Sequence, residues 1–333
     1  MTRDPLEYSL AARVHRIETP VPWPPGHAAA FLVEGEEPVL VDAGHVDERS
    51  EDVLDEGLAE RGYTVADIEH VVLTHPHSDH IGQVPAFVAA DARLYAPRAV
   101  CEQLRRDPAD LEARVRETAA SVGLPPRELD AQVARAVDSL ERNRRLLPPD
   151  AVAVPFEYGE AFPVADLSLE PVHTPGHQTG HACLFASDGA ETVLFSGDAL
   201  VEPFRAAALD VGLDRGAYDA VAAFYRGYGR LEAALDRREP RRVYAGHGPP
   251  FEDAKGVLER SRASLDRLVA DVLATVERVG PASPYAVTLA RLGGDELRYP
   301  APLLDTVGAL GTLDERGAVV YRVDDGVRRY VAV

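Results

Sequence analysis

The sequence predicts an α/β fold, and three observations carry the prediction. Short apolar runs at 38–42, 71–74, 169–173, 193–197 and 242–246 have the length and bounding turns of buried strands. Segments with apolar residues at helical spacing, such as 47–61 and 81–90, lie between them. Each run also leads into an Asp or His close to Gly or Pro, so the strand ends share one kind of polar chemistry.

The densest of these turns is Thr74-His75-Pro76-His77-Ser78-Asp79-His80, directly after Val71-Val72-Leu73. Pro76 keeps His75 out of helical geometry, because the residue before proline is pushed to extended backbone. In that stretch His75 and His77 point the same way by the two-residue alternation. Asp79 and His80 fall beyond the bend, free to face a second centre. So many titratable groups at one strand end cost desolvation unless a cation compensates. Imidazole and carboxylate together suit zinc, and less selectively iron or manganese. A pair of histidines alone is more simply a polar loop; the four residues together favour a metal site.

Further along stand His177 in Thr174-Pro175-Gly176-His177, Asp198 in Ser196-Gly197-Asp198, and His247 in Gly246-His247-Gly248-Pro249. With Asp42 in Leu40-Val41-Asp42-Ala43-Gly44, these stretches make the chain resemble the metallo-β-lactamase-fold hydrolase superfamily, all five ordered motifs lying within 39–247. The resemblance implies an αββα sandwich of two mixed β-sheets and a site for two metal ions. His75, His77 and His177 would hold the first ion, and Asp79, His80 and His247 the second. Asp198 would bridge them, with Asp42 close by but not a ligand. A carboxylate at the bridging position sets the chain apart from antibiotic-degrading members, which carry Cys or Ser around the second metal. The local contexts are those of the glyoxalase II and thioesterase branch.

The implied reaction is hydrolysis of an acyl thioester or related ester by a hydroxide held between two Zn2+, with Fe or Mn as other metals. Asp79 and Asp198 are the catalytic carboxylates, both committed as ligands, so the leaving group takes its proton through water. Ser78 and Ser196 read as loop structure, and no side-chain nucleophile is required. The basic glutathione-binding residues of glyoxalase II lack a counterpart here. Endoribonucleases and mononuclear-iron persulfide dioxygenases use the same motifs or a subset, and stand as the alternatives. A non-catalytic binding module is disfavoured, since no ligand position is lost.

In chain order, strands are expected at 12–18 and 28–34, around a proline-rich loop whose Trp23 either lines the entrance or anchors the loop. A helix follows at 47–61, with Gly62 as its cap, then the metal loop, a helix at 81–90 and a strand at 93–95. His15, His27, His45 and His70 read as surface or internally satisfied histidines. Residues 97–147 form a helical insertion of three segments by their proline and glycine punctuation. Apolar stripes at Leu111, Val115, Ala119 and Val122, and at Leu129, Val133, Val137 and Leu140, need a surface to cover. By resemblance the insertion is a lid that shapes an acyl pocket. Arg105, Arg106, Arg142, Arg144 and Arg145 read better as solvated helix faces than as an anion clamp. Strands resume at 152–155, 162–164 and 167–173. His181 reads as a structural, hydrogen-bonded neighbour of the site. Residues 200–218 are irregular, with Phe204, Arg205 and Tyr218 as possible substrate contacts, and 218–238 is a helix over the second sheet.

The tail, 257–333, differs in charge: 10 arginines against 11 acids leave it at −1, whereas the whole chain carries −20. Three helices and a hairpin turning at Asp324-Asp325-Gly326 are expected there, a module that resembles a winged helix. The domain boundary is placed after 256. Weak positive charge argues against DNA binding, and the acidity of the chain against nucleic acid in general. A small-molecule acyl substrate and a homodimer contact are the expected partners. Lys255 is the sole lysine, and such an acidic surface points to a salt-rich, halophilic cytoplasm. Residues 1–16 lack the apolar block of a signal peptide and no segment has the length to span a bilayer, so the expected location is cytoplasmic. Cys101 and Cys183 have no metal or redox spacing and read as reduced, buried thiols.

Overall fold

The computed structural model describes residues 9–209, 213–214, 216–297 and 299–333. The leader expectation rests in part on residues 1–8, which lie outside that set. The first sheet has the order β1 (Val14–Pro20), β2 (His27–Val33), β3 (Val39–Val41), β4 (His70–Val72), β5 (Arg93–Pro97) and β6 (Val152–Phe156). Its first three strands are antiparallel and the last four run parallel, so the sheet is mixed. The second sheet has the order β11 (Val243–Ala245), β10 (Thr192–Gly197), β9 (Ala182–Ser187), β8 (Leu167–His173) and β7 (Phe162–Val164). It is antiparallel except where β10 meets β11.

The two-residue period of the strands sends their side chains to opposite faces of each sheet, one toward the other sheet and one toward helices. Phe31, Val41, Val72 and Tyr95 of the first sheet meet Leu169, Leu184, Phe195 and Tyr244 of the second. The alternate residues, Leu32, Leu40, Val71 and Leu94, face helices. Those helices are α2 (Glu48–Ala59), α3 (Val84–Ala89), α4 (Arg98–Leu104), α5 (Pro108–Val122) and α6 (Pro126–Leu146). On the far side α7 (Ala220–Arg237) and α8 (Ala254–Val279) cover Cys183, Phe185 and Leu194 of the second sheet. The layers are therefore αββα, as expected.

Three departures have local causes. The first strand starts at Val14 because α1 (Leu10–Arg13), capped by the Ser9 side chain, occupies its expected beginning. The helix expected from 81 starts at 84, because Gly82 and Gln83 donate backbone hydrogen bonds to Gly44 and Ala43. Strand β9 has no counterpart in the sequence expectations; it is buried on both faces, so no polar alternation marks it.

The tail forms α9 (Pro284–Leu292), α10 (Ala301–Glu315) and a hairpin of β12 (Val319–Asp324) with β13 (Val327–Ala332). Its core does not stand apart: Leu265, Leu310 and Tyr330 join Phe224, Leu231 and Leu194 in one apolar cluster. Gly311 makes the closest approach, since a Cβ there would lie 1.9 Å from the Tyr218 carbonyl oxygen. Ion pairing between Arg205 and Asp305, 2.8 Å, ties α10 to the loop after β10, and the Tyr285 hydroxyl donates to Glu128 of α6. Among the described residues no helix is long and apolar enough to cross a membrane.

Candidate metal centre

Seven side chains from four loops converge at one end of the sandwich. After β4 the chain delivers His75, His77, Asp79 and His80; His177 follows β8, Asp198 follows β10 and His247 follows β11. They form two adjoining groups. His75, His77, His177 and Asp198 make one; Asp79, His80 and His247 make the other, the candidate ligand atoms of each group lying within 4.8 Å of one another. Every residue predicted as a ligand falls in one of these two groups.

The atoms that face inward are specific. His77 Nδ1 lies 3.1 Å from His75 Nε2 and 2.9 Å from His177 Nε2. Asp198 Oδ2 is 3.1 Å from His177 Nε2 and 3.3 Å from His247 Nε2, while Oδ1 is 3.4 Å from His80 Nε2. One carboxylate thus spans both groups. Asp79 Oδ2 is 3.7 Å from His247 Nε2.

Each imidazole is oriented from behind. His75 Nδ1 meets the Thr74 hydroxyl at 2.9 Å, and that hydroxyl donates to Asp42 Oδ2. His80 Nδ1 donates to Asp42 Oδ2 at 2.9 Å, His177 Nδ1 to the Ala207 carbonyl at 3.0 Å and His247 Nδ1 to the His27 carbonyl at 2.6 Å. Asp42 adopts φ 58°, a left-handed conformation costly for a residue with a Cβ, which turns its carboxylate under the Thr74 amide. Such partners fix which nitrogen is free and raise its basicity.

Electrostatics shows what the cluster lacks. Burial holds His75 and His77 well below the ordinary histidine range. At His80 burial opposes charge, but Asp198, Asp42 and Asp79 outweigh it and push the pKa up to about 10; His247 is raised against its own burial by Asp198. Asp198 is buried too, yet His247, His80 and His177 hold it well below the carboxylate range. Protons on His80 and His247 therefore supply positive charge that the carboxylates demand. His80 Nε2 and Asp198 Oδ1 are buried without a hydrogen-bond partner. Inward lone pairs of N and O donors, orphaned polar atoms and a deficit of positive charge are together what a pair of divalent cations would satisfy, so the residues fit such a group.

Close packing enforces the arrangement. A Cβ on Gly246 would lie 2.4 Å from Asp198 Oδ1, and one on Gly197, at φ 46°, 2.5 Å from His181 Nε2. His181 accepts from the Asp198 backbone amide at 3.0 Å and faces the Thr174 hydroxyl at 2.7 Å; burial drives its pKa to about 3, so it stays neutral and positions Asp198.

Sequence reasoning missed two supporting residues. The Gln178 amide nitrogen lies 2.6 Å from His77 Nε2, the ring nitrogen remote from His75 and His177, and so holds that ring from behind. Its place beside His177 was the available signal. Buried Asn143 of α6 donates to the Pro76 carbonyl at 2.7 Å and pins the metal loop to the insertion, with no sequence signal.

Other candidates fall elsewhere. Arg105 pairs with Asp150, Arg106 with Asp214, and Arg144 donates to the carbonyls of Leu104 and Arg106. Arg142 rests on Ser139 and Asn143, and Arg145 is exposed. Trp23 packs edge-on against His45, Phe204 lies 6.4 Å from the His247 ring, and the Tyr218 ring carries the Arg328 guanidinium. Ser196 donates to the Leu200 carbonyl, and Cys101 and Cys183 are buried free thiols.

With fold and cluster established, comparison with known proteins is direct. The profile of the Metallo-beta-lactamase superfamily matches residues 23–271, and the chain belongs to that superfamily. A metallo-beta-lactamase family protein from Thermus thermophilus superposes with a TM-score of 0.79 at 26% identity, over 98% of this chain and 100% of that one. Among curated proteins, an atrochrysone carboxyl ACP thioesterase of Emericella nidulans is 23% identical over 305 residues, 90% of this chain and 78% of that protein. The probable metallo-hydrolase YqjP of Bacillus subtilis is 24% identical over 248 residues, 73% of this chain and 74% of that protein. Family, fold and ligand cluster together define a metal-dependent hydrolase.

Proposed function

We propose that this hydrolase cleaves acyl thioesters, with a pair of divalent ions for which zinc is the best match to the donor set. The observation that carries the reading is a cavity of about 200 Å³ that opens on His77 and Gln178. Leu104, Leu111, Leu140, Leu213 and Leu304 give it an apolar lining drawn from the insertion, the loop after β10 and the tail. An acyl chain buried there presents its carbonyl at the ligand cluster. The thioesterase names of several relatives support the same chemistry.

When bound, the ions supply a nucleophile derived from water at neutral pH and an electrophile for the carbonyl oxygen. The chain does the rest. Asp42, Thr74, Gln178 and the carbonyls of Ala207 and His27 hold the imidazoles in one orientation, so no reorganisation accompanies reaction. Asn143 keeps the metal loop in place against the cavity, and the leucine lining excludes water from the acyl group. Phe204, exposed beside His247, offers a surface to the departing half of the substrate.

Metal quantification paired with a panel of acyl thioesters, lactones and single-stranded RNA tests the proposal. Two ions per chain with thioesters as the best substrates is the expected result. One iron per chain, or RNA cleavage without thioester turnover, would overturn it.

A further inference from the structure

Helix α6 runs along the cavity as a ruler. Asn143, Leu140, Ser139, Ala136, Arg135 and Gln132 recur at helical spacing, and all of them line it. Asn143 marks the metal end through its bond to Pro76. Arg135 stands eight residues earlier, about 12 Å along the axis at a rise of roughly 1.5 Å per residue.

Two arginines line this cavity, and they differ in one respect. Arg106 is committed to Asp214 at 2.6 Å. Arg135 is an exposed residue that lines the cavity and makes no hydrogen bond or ion pair among the described residues. Acids are near: the depression on its other side includes Glu128 and Glu296, but Glu128 accepts from Tyr285 and neither pairs with Arg135. The result is an apolar sleeve with an uncommitted guanidinium at the end remote from the ligand cluster and a carboxamide, Gln132, one turn further on. At about 200 Å³ the space is smaller than the roughly 300–1,000 Å³ usual for drug-sized ligands, which favours a short acyl group.

We propose that the acyl group ends in a carboxylate bound by Arg135, with Gln132 adding a hydrogen bond, so that the substrates are monothioesters of short dicarboxylic acids. The inference rests on the thioesterase reading. A guanidinium grips a carboxylate through paired N–H donors, whereas a neutral acyl terminus leaves it nothing to bind.

The test compares glutaryl and pentanoyl thioesters of N-acetylcysteamine on the metal-loaded wild type, Arg135→Gln and Arg135→Lys, together with calorimetric binding of free glutarate to the metal-free proteins. Wild type is expected to favour the glutaryl substrate by about ten-fold in kcat/KM. Arg135→Gln should remove that preference through KM, leave kcat and the pentanoyl reaction within two-fold, and weaken glutarate binding by about ten-fold; Lys should restore part of both. Thioester hydrolysis with no preference, or equal losses on both substrates, overturns the carboxylate assignment alone. Glutarate binding that depends on Arg135 in a protein that hydrolyses no thioester supports the anion site and removes the thioesterase reading instead.

Discussion

The ligand cluster and the leucine-lined cavity beside it meet at His77 and Gln178 yet are built in opposite ways. Each ligand sits within eight residues of a strand end, and each imidazole has its remote nitrogen tied to a single partner. The cavity wall is assembled from helices of the insertion, the loop after β10 and α10 of the tail, held by apolar contact and by bridges such as Arg205 to Asp305. The first region fixes the type of reaction in rigid backbone. The second leaves the choice of substrate to packing between distant segments, where one side chain changes the shape without touching the chemistry.

That contrast can be broken in order of expected effect. Asp198→Ala removes the one carboxylate that spans both groups. Metal content should fall by at least one ion, and turnover by more than the roughly 10–100-fold typical of an outer partner; retention of two metals with near-normal turnover would contradict the bridging role. Thr74→Val deletes the hydroxyl between His75 and Asp42, for which a loss of about 10–100-fold in metal affinity or activity is expected. A titration with a chelator checks it. Leu140→Trp, on the cavity side, should lower kcat/KM for acyl thioesters by about ten-fold while metal content and acetyl ester turnover hold steady. Equal loss on acetyl and longer acyl substrates would show that the cavity and the cluster are not separable.

The two remaining effects fall on stability. Asp305→Ala strands Arg205, whose side chain is only 8% exposed, and should destabilise by about 3–5 kcal/mol in denaturant unfolding, with the acyl preference loosened. The smallest effect is set by pH. His181 has a pKa of about 3 in the fold and about 6.5 once unfolded, so the unfolded chain binds that proton first as pH falls. Its contribution to stability is therefore present above pH 6.5 and lost between about 6.5 and 3. In metal-free protein, the stability advantage of wild type over His181→Gln should shrink below pH 6.5 by about 1.4 kcal/mol per unit. A gap that stays constant from pH 7.5 to 5.5 would remove His181 from the acid response.

Local sequence determined the strand ends, the three helices of the insertion and the hairpin of the tail, and the family resemblance added the αββα layers and the seven side chains that meet at one end of the sandwich. The first of these are local matters: a strand end, a proline or a glycine sets the direction of a neighbouring side chain within a few positions. Tertiary structure decided what lies beyond that reach. Strand β9 carried no alternation because both its faces are covered. Asn143 and Arg135 look alike in a helix rich in polar residues, yet one pins the Pro76 carbonyl and the other is left facing a cavity. Five other arginines of the insertion were equally eligible on paper and are occupied or exposed elsewhere. An apolar stripe states that it will be covered but not by which segment, and a cation states its charge but not its partner; both are resolved only when elements distant in sequence pack together.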